Sequence, residues 1–368
     1  MKVTPALRSV VTLAFVLLAA RAFAAAPVAV TNGMMVIPFP DPRLAINGLP
    51  WFEEDKPALR RLPARLKGTF RPPVWSLAQA PSGGRIRFRT DSTRIGIVGQ
   101  NPNIGVMHHM TSIGQSGFDL YVGNDYLNSA WPDKDGKIEK VWQAGAKPAP
   151  RDITIYLPLY KAVSVTAITL DEGAKLEPAR PYRVAKPVVY YGSSITQGGC
   201  AANPGLSCQA IVSRWLDSDF VNLGFSGNGL GDPDVAKAIC ELDPSCIVFD
   251  FWGNPKPDLY RERLPEFTAI LRAKFPTVPI LVLSPFYFPA EATSPDTAEA
   301  QRDKRETTKT FVAERRKAGD RNIHFVDGLE MLNKDQVIGL VDGVHCNSLG
   351  FYFNARGLEP HLRKVLKR

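Results

Sequence analysis

Histidine is scarce in this sequence, and the scarcity narrows its chemistry. Only five occur in 368 residues: His108, His109, His324, His345 and His361. Any step that needs an imidazole base must draw on these. The first half lacks cysteine. Cys200, Cys208, Cys240, Cys246 and Cys346 all lie later, and their spacings match no zinc pattern, which argues against a structural zinc module. An oxidising compartment would permit short loops closed by Cys200 with Cys208 or Cys240 with Cys246. The odd count leaves a thiol over, and the connectivity stays open. A phosphate loop is also missing. Gly224 to Gly229 is dense in glycine, but no Lys-Ser or Lys-Thr follows it. No internal repeat or low-complexity tract occurs.

Single-sign charge clusters are absent too. The formal charge is +9, with Lys and Arg scattered through both halves. That pattern reads as a solvated basic surface and gives no reason to expect a nucleic-acid partner. Long apolar runs are confined to the start. Lys2 and Arg8 form a basic head, Val10 to Ala20 an apolar core, and Ala22-Phe23-Ala24 a small-x-small cleavage site, so residues 1–24 read as a secretory signal. The run is short for a membrane anchor, and nothing later approaches spanning length. The expectation is an exported protein, secreted or periplasmic, with no integral membrane segment after cleavage.

What is present is a globular composition, 45% hydrophobic and 22% charged. Two periodicities divide it. Residues 25–180 carry short alternating runs such as Arg85-Ile86-Arg87-Phe88-Arg89, Arg94 to Val98, Phe118 to Val122, Asp152 to Leu157 and Val163 to Leu170. Turn residues separate them, which predicts an all-β sandwich. The Pro-bracketed stretch Arg180 to Pro187 reads as a connector. Residues 187–368 alternate apolar runs at 188–191, 220–223, 247–251, 280–283 and 323–326 with helical stretches near 205–217, 232–241, 258–274, 296–318 and 348–366. That alternation predicts a parallel sheet covered on both faces.

The run Pro187-Val188-Val189-Tyr190-Tyr191 ends in Gly192-Ser193-Ser194. A strand feeding a helix through small residues sets a hydroxyl at the carboxyl edge of the sheet, where such folds hold their ligands. Ser194 is the candidate nucleophile. Among the histidines, His324 falls inside a strand and His361 on the last helix, while His345 lies in a loop, Asp342-Gly343-Val344-His345. An Asp three residues before a His can turn back, hold one ring nitrogen and leave the other to accept a proton. The bland alternative is a polar loop with a helix cap at Asn347 or Ser348. Acyl chemistry also needs donors for an oxyanion. Asn222 to Gly229 and Asp250 to Pro255 each follow a strand and can supply a backbone N–H and an Asn amide.

These blocks together resemble the SGNH, or GDSL-like, serine hydrolases. The resemblance implies a flavodoxin-like three-layer α/β/α domain, preceded here by a jelly-roll-like all-β sandwich as in one bacterial branch. Gly192-Ser193-Ser194-Ile195-Thr196 stands at the first block, with Ser194 as nucleophile and amide donor. Gly227 stands at the second and Asn254 at the third, as oxyanion donors. Asp342 and His345 stand at the fourth, completing a catalytic Ser194, Asp342 and His345 triad. Ser193 and Pro255 replace the family's usual aspartates.

The implied activity is carboxylic ester hydrolysis through an acyl-enzyme, with no metal or organic cofactor. The expected substrate is a short-chain, acetyl ester on carbohydrate, a small molecule or a polysaccharide. A lipase, lysophospholipase or thioesterase with the same triad is the enzyme alternative. An inert hydrolase-like half beside a glycan-binding β domain is the non-enzymatic one. Trp252, Phe286, Tyr287 and Phe288 are candidate site-lining aromatics, and Trp75, Trp131 and Trp142 candidate glycan contacts.

Overall fold

The structure is a computed structural model that describes residues 30–103 and 105–367. The expected signal at 1–24 lies outside the described residues. Before residue 180 the strands are β1 Val30–Thr31, β2 Met34–Pro38, β3 Ala45–Asn47, β4 Arg85–Thr90, β5 Arg94–Gln100, β6 Phe118–Val122, β7 Asp125–Ala130, β8 Lys137–Gln143, β9 Arg151–Tyr156, β10 Ser164–Asp171 and β11 Leu176–Pro178. They form two antiparallel sheets, ordered β1-β2-β10-β5-β8 and β11-β4-β9-β6-β7, with β3 added beside β4. Alternation decides which side chains face inward. Ile86 and Phe88 of β4 are fully buried, and with Ile95, Ile97, Phe118, Leu120, Ile153, Ile155, Ile168 and Leu170 they form the sandwich core.

The sequence suggested almost no helix in this half. The structure adds Pro72–Ala78, which starts on two prolines that fix its first turn. Its Val74 and Ala78, together with Trp51, Leu62 and Phe70, pack into the core of the following region instead of the sandwich. The first half therefore lends a wedge of apolar surface to the second.

Five strands follow: β12 Val184–Gly192, β13 Ser218–Gly224, β14 Cys246–Asp250, β15 Ile280–Leu283 and β16 Ile323–Val326. They are parallel and ordered β13-β12-β14-β15-β16, the flavodoxin-like 2-1-3-4-5 pattern. Helices Cys208–Leu216, Pro233–Ile239, Pro257–Lys274, Pro295–Lys317 and Ser348–Val365 complete the layers. Among the described residues no helix is long and apolar enough to cross a membrane.

In register, Gly192 pairs with Gly224 on one side and with Asp250 on the other. Three loops thus leave the sheet at one level beside the point where strand order reverses. Gly192 and Gly224 are required there by contact. A Cβ on Gly192 would strike Thr196 and the Asp250 carbonyl, and one on Gly224 would strike the backbone of Gln197.

Candidate active site

Ser194 begins the one-turn helix Ser194–Gln197 directly after β12. Ser193, where the resemblance expects an aspartate, caps that helix, its Oγ accepting from the Ile195 N–H at 3.2 Å. Ser194 Oγ lies 2.8 Å from His345 Nε2, and His345 Nδ1 lies 2.7 Å from Asp342 Oδ2. A carboxylate only accepts, so the proton sits on Nδ1, and Nε2 is left to accept from the serine hydroxyl.

The Asp-x-x-His turn is built locally. Asp342 Oδ1 accepts from the N–H of Val344 at 3.0 Å and of His345 at 2.8 Å. Burial pushes the Asp342 carboxyl up, but these bonds and the His345 ring outweigh it and leave it at about 2. Asn347 caps the last helix through the Leu349 and Gly350 N–H groups and donates to the Ile338 carbonyl at 2.8 Å. The Cys200 N–H donates to the Cys346 carbonyl at 2.8 Å, tying the nucleophile segment to the histidine loop.

The other two loops converge beside them. Gly227 has φ +67°, a conformation that favours glycine, and a Cβ there would meet nothing within 4 Å. Asn254 Oδ1 accepts from the Gly229 N–H at 3.0 Å, which leaves its amide nitrogen as the donating end.

Residues 185–363 match the family model for GDSL-like lipase/acylhydrolases, and residues 39–176 match the model for the N-terminus of SGNH-hydrolase-type esterases. The chain belongs to the SGNH, or GDSL-like, hydrolases. A Bacteroides ovatus structure described as a GDSL-like lipase is 28% identical, with a TM-score of 0.83 over 91% of this chain and 98% of that one. A salicylyl-acyltransferase from a tetracycline biosynthetic pathway has the same fold at 21% identity, TM-score 0.77, 91% and 98% covered. A family two carbohydrate esterase from Clostridium thermocellum, in complex with cellohexaose, shares the fold at 15% identity, TM-score 0.59, with 78% and 93% covered. No curated protein matches the chain. The family makes this chain a carboxylic ester hydrolase, which sets aside the inert glycan-binding alternative.

In this SGNH hydrolase the first half walls one side of the site, through residues that the sequence did not single out. Arg71 donates to Asp232 Oδ1 and Oδ2 at 2.5 and 3.1 Å, and to the Asn228 Oδ1 and carbonyl at 3.0 and 2.8 Å. Arg61 is fully buried, and its partners are carbonyls: Ala80 at 2.8 Å, Leu77 at 2.7 Å, Asn222 at 3.3 Å and Gly224 at 2.5 Å. Burial lowers its pKa to about 9, so it stays charged at neutral pH. Arg85, equally buried, pairs with Asp219. Three arginines thus grip β13 and the glycine loop behind it. Tyr160 donates to the Ser194 carbonyl at 3.2 Å, and Gln197 links the Leu159 carbonyl at 3.1 Å to the Ser226 N–H at 2.9 Å. The ring of His109 stands 5.3 Å from that of His345.

Several sequence expectations are corrected. Trp252, Phe286 and Phe288 are buried and packed on one another, so they are core and not lining. Trp142 is sandwich core, whereas Trp131 is exposed and Trp75 half-buried beneath Arg60 and Lys67. All five cysteines are free thiols. Burial, then Asp342, pushes the Cys200 thiol up to about 12, which makes it a poor nucleophile. His324 and His361 line a separate cleft with Arg316 and Lys364.

Proposed function

We propose that the protein is an exported serine esterase that removes short acyl groups, acetyl above all, from carbohydrate. The single observation that carries the hydrolytic reading is the unbroken line of hydrogen bonds from Asp342 through His345 to Ser194, at 2.7 and 2.8 Å. His345 takes the hydroxyl proton as Ser194 attacks the ester carbonyl. The Ser194 and Gly227 N–H groups and the Asn254 amide receive the oxyanion. The alcohol leaves with the proton from His345, and water, activated by the same ring, releases the acid. Asp342 holds the ring in one tautomer and stabilises the imidazolium.

The fold supports a short acyl group on sugar: it is shared with family two carbohydrate esterases, one of them in complex with cellohexaose, and with an acetyl xylan esterase.

The test is acid release from p-nitrophenyl acetate, p-nitrophenyl octanoate and acetylated xylan by the wild type and Ser194→Ala. Acetyl-selective turnover, lost by roughly 10⁴-fold or more in the variant, is expected. A preference for octanoate would replace the carbohydrate reading with the lipase one. Turnover that survives in Ser194→Ala would sink the triad.

A further inference from the structure

The ring that faces Ser194 also belongs to a second group of atoms. One ligand atom each from His109, Cys200 and His345 lie within 4.8 Å of one another. The two rings are tilted by 56° and not stacked flat, so their in-plane lone pairs can converge. Asp342 occupies His345 Nδ1, so Nε2, which lies 2.8 Å from Ser194 Oγ, is the ring nitrogen left for a cation. A carboxylate behind an imidazole is the arrangement that orients metal-binding histidines. Two imidazoles and a thiolate are a borderline-soft donor set, suited to a zinc-class ion and not to magnesium or calcium. Ligand atoms around a four-coordinate zinc stand about 3.3–3.6 Å apart, from Zn–N near 2.0 Å and Zn–S near 2.3 Å. A closure of about 1 Å would therefore complete the site. His109 can supply it, because it sits part-exposed in the loop between β5 and the helix Ser112–Ser116. Cys200 is the fixed member, buried and held through its backbone to Cys346.

We propose that His109, Cys200 and His345 bind one zinc-class divalent cation, and that its binding reversibly switches the esterase off. The cation takes the Nε2 lone pair of His345, the Cys200 proton leaves to solvent, and Ser194 loses its base. The inhibition half of this proposal rests on the triad reading. The binding half does not.

The experiment uses the full-length, chelator-treated enzyme. Zn²⁺ is titrated by calorimetry and against p-nitrophenyl acetate turnover, and Co²⁺ serves as a spectroscopic probe for thiolate ligation. The expected result is one site per chain, a thiolate-to-cobalt charge-transfer band, and full recovery of turnover on chelation. Cys200→Ser and His109→Gln should keep metal-free turnover within about threefold. Each should lose the band or weaken it, and need on the order of 10²-fold more Zn²⁺ for inhibition, as expected when a ligand is removed. Ser194→Ala should hydrolyse nothing yet keep the band. A cobalt site in a wild-type enzyme that hydrolyses nothing would uphold the metal site and sink the triad reading. Equal Zn²⁺ inhibition of the wild type and both variants, or no thiolate band, would overturn the proposal.

Discussion

Arg71→Ala asks whether the first half of the chain sets the geometry of the oxyanion loop. Arg71 spans both ends of that loop, holding Asn228 by its side chain and carbonyl and Asp232 by a fork. Its side chain is 38% exposed and that of Asp232 16%. Solvent therefore discounts the pair below the 3–5 kcal/mol of a broken buried bridge, while the fork geometry lifts it above a typical surface pair. About 1–2 kcal/mol of stability is the expected loss. Catalysis should suffer by a separate route. Deleting an oxyanion donor outright costs roughly 10²–10³ in kcat. Here the loop keeps Phe225 N–H on the Gly192 carbonyl at 2.9 Å, Ser226 N–H on Gln197 at 2.9 Å and Gly229 N–H on Asn254 at 3.0 Å. Misplacement, not loss, is the consequence, so kcat should fall about 10-fold with KM within about twofold. Arg71→Lys, which keeps a charge for Asp232 and loses the fork, should fall between. The assay is steady-state p-nitrophenyl acetate hydrolysis beside a thermal melt. A lower Tm with unchanged kcat would refute the reasoning, because the loop would then hold its shape without Arg71.

Asn254→Ala should lower kcat by roughly 10²–10³ and also lower the melt, by about 1 kcal/mol of stability, since it removes both the donor to the oxyanion and the acceptor of the Gly229 N–H; steady-state kinetics beside a thermal melt checks it. Asp342→Asn should cost about 10⁴ in kcat by freeing the wrong tautomer of His345, with circular dichroism unaltered. Asp250, part-buried at the end of β14 where Thr196 donates to it at 2.8 Å, is a pH prediction. Burial pushes its carboxyl up to about 7 from an ordinary 3.8, so the folded state holds this proton more tightly than the unfolded chain. Its contribution is full below pH about 4 and is lost as the pH rises toward 7. Asp250→Asn should accordingly flatten the fall of Tm between pH 4 and 7, and an unchanged slope would count against the assignment.

Much of the second half is legible because its signals are local. The runs at 188–191, 220–223 and 280–283 have a glycine or proline directly at one end or both, and the helices of this half carry enough polar length to be told from strands. The Asp342 to His345 turn is legible for the same reason: a carboxylate can reach two N–H groups and the ring within one four-residue loop. The first half is less so. In β8 only Ile138 and Trp142 face inward among charged neighbours, and Val141 points out at 48% exposure, so no clean alternation survives. Residues whose meaning is a distant partner leave no trace in spacing. Arg61, Arg71 and Arg85 look like ordinary surface charge until the fold brings β13 and the loop after it against them, and His109 looks like a loop residue until it meets His345. Trp252 errs the other way: adjacency to a site block suggested lining, whereas packing on Phe286 and Phe288 makes it core.

That distant grip bears on whether the hydrolase half can stand alone. β13 is an edge of the parallel sheet, and an uncovered edge strand is an invitation to pair with other chains. Here the first half covers it. Asn47 donates to Asp219 at 2.8 Å, Arg85 pairs with Asp219, and the backbone at Gly83 comes so close to Phe220 and Asn222 that no side chain fits between. Arg61 meanwhile satisfies carbonyls of β13 that would otherwise lie buried without a donor. Removing residues 1–184 would therefore bare an apolar edge and strip Asp219 and Asp232 of their arginine partners at once. The expected outcome is that residues 185–368 expressed alone are insoluble or inactive, and that supplying the first half in trans restores turnover. A soluble, monomeric fragment with wild-type kcat on p-nitrophenyl acetate would show instead that β13 needs no cover, and that the arginines only decorate a domain already complete.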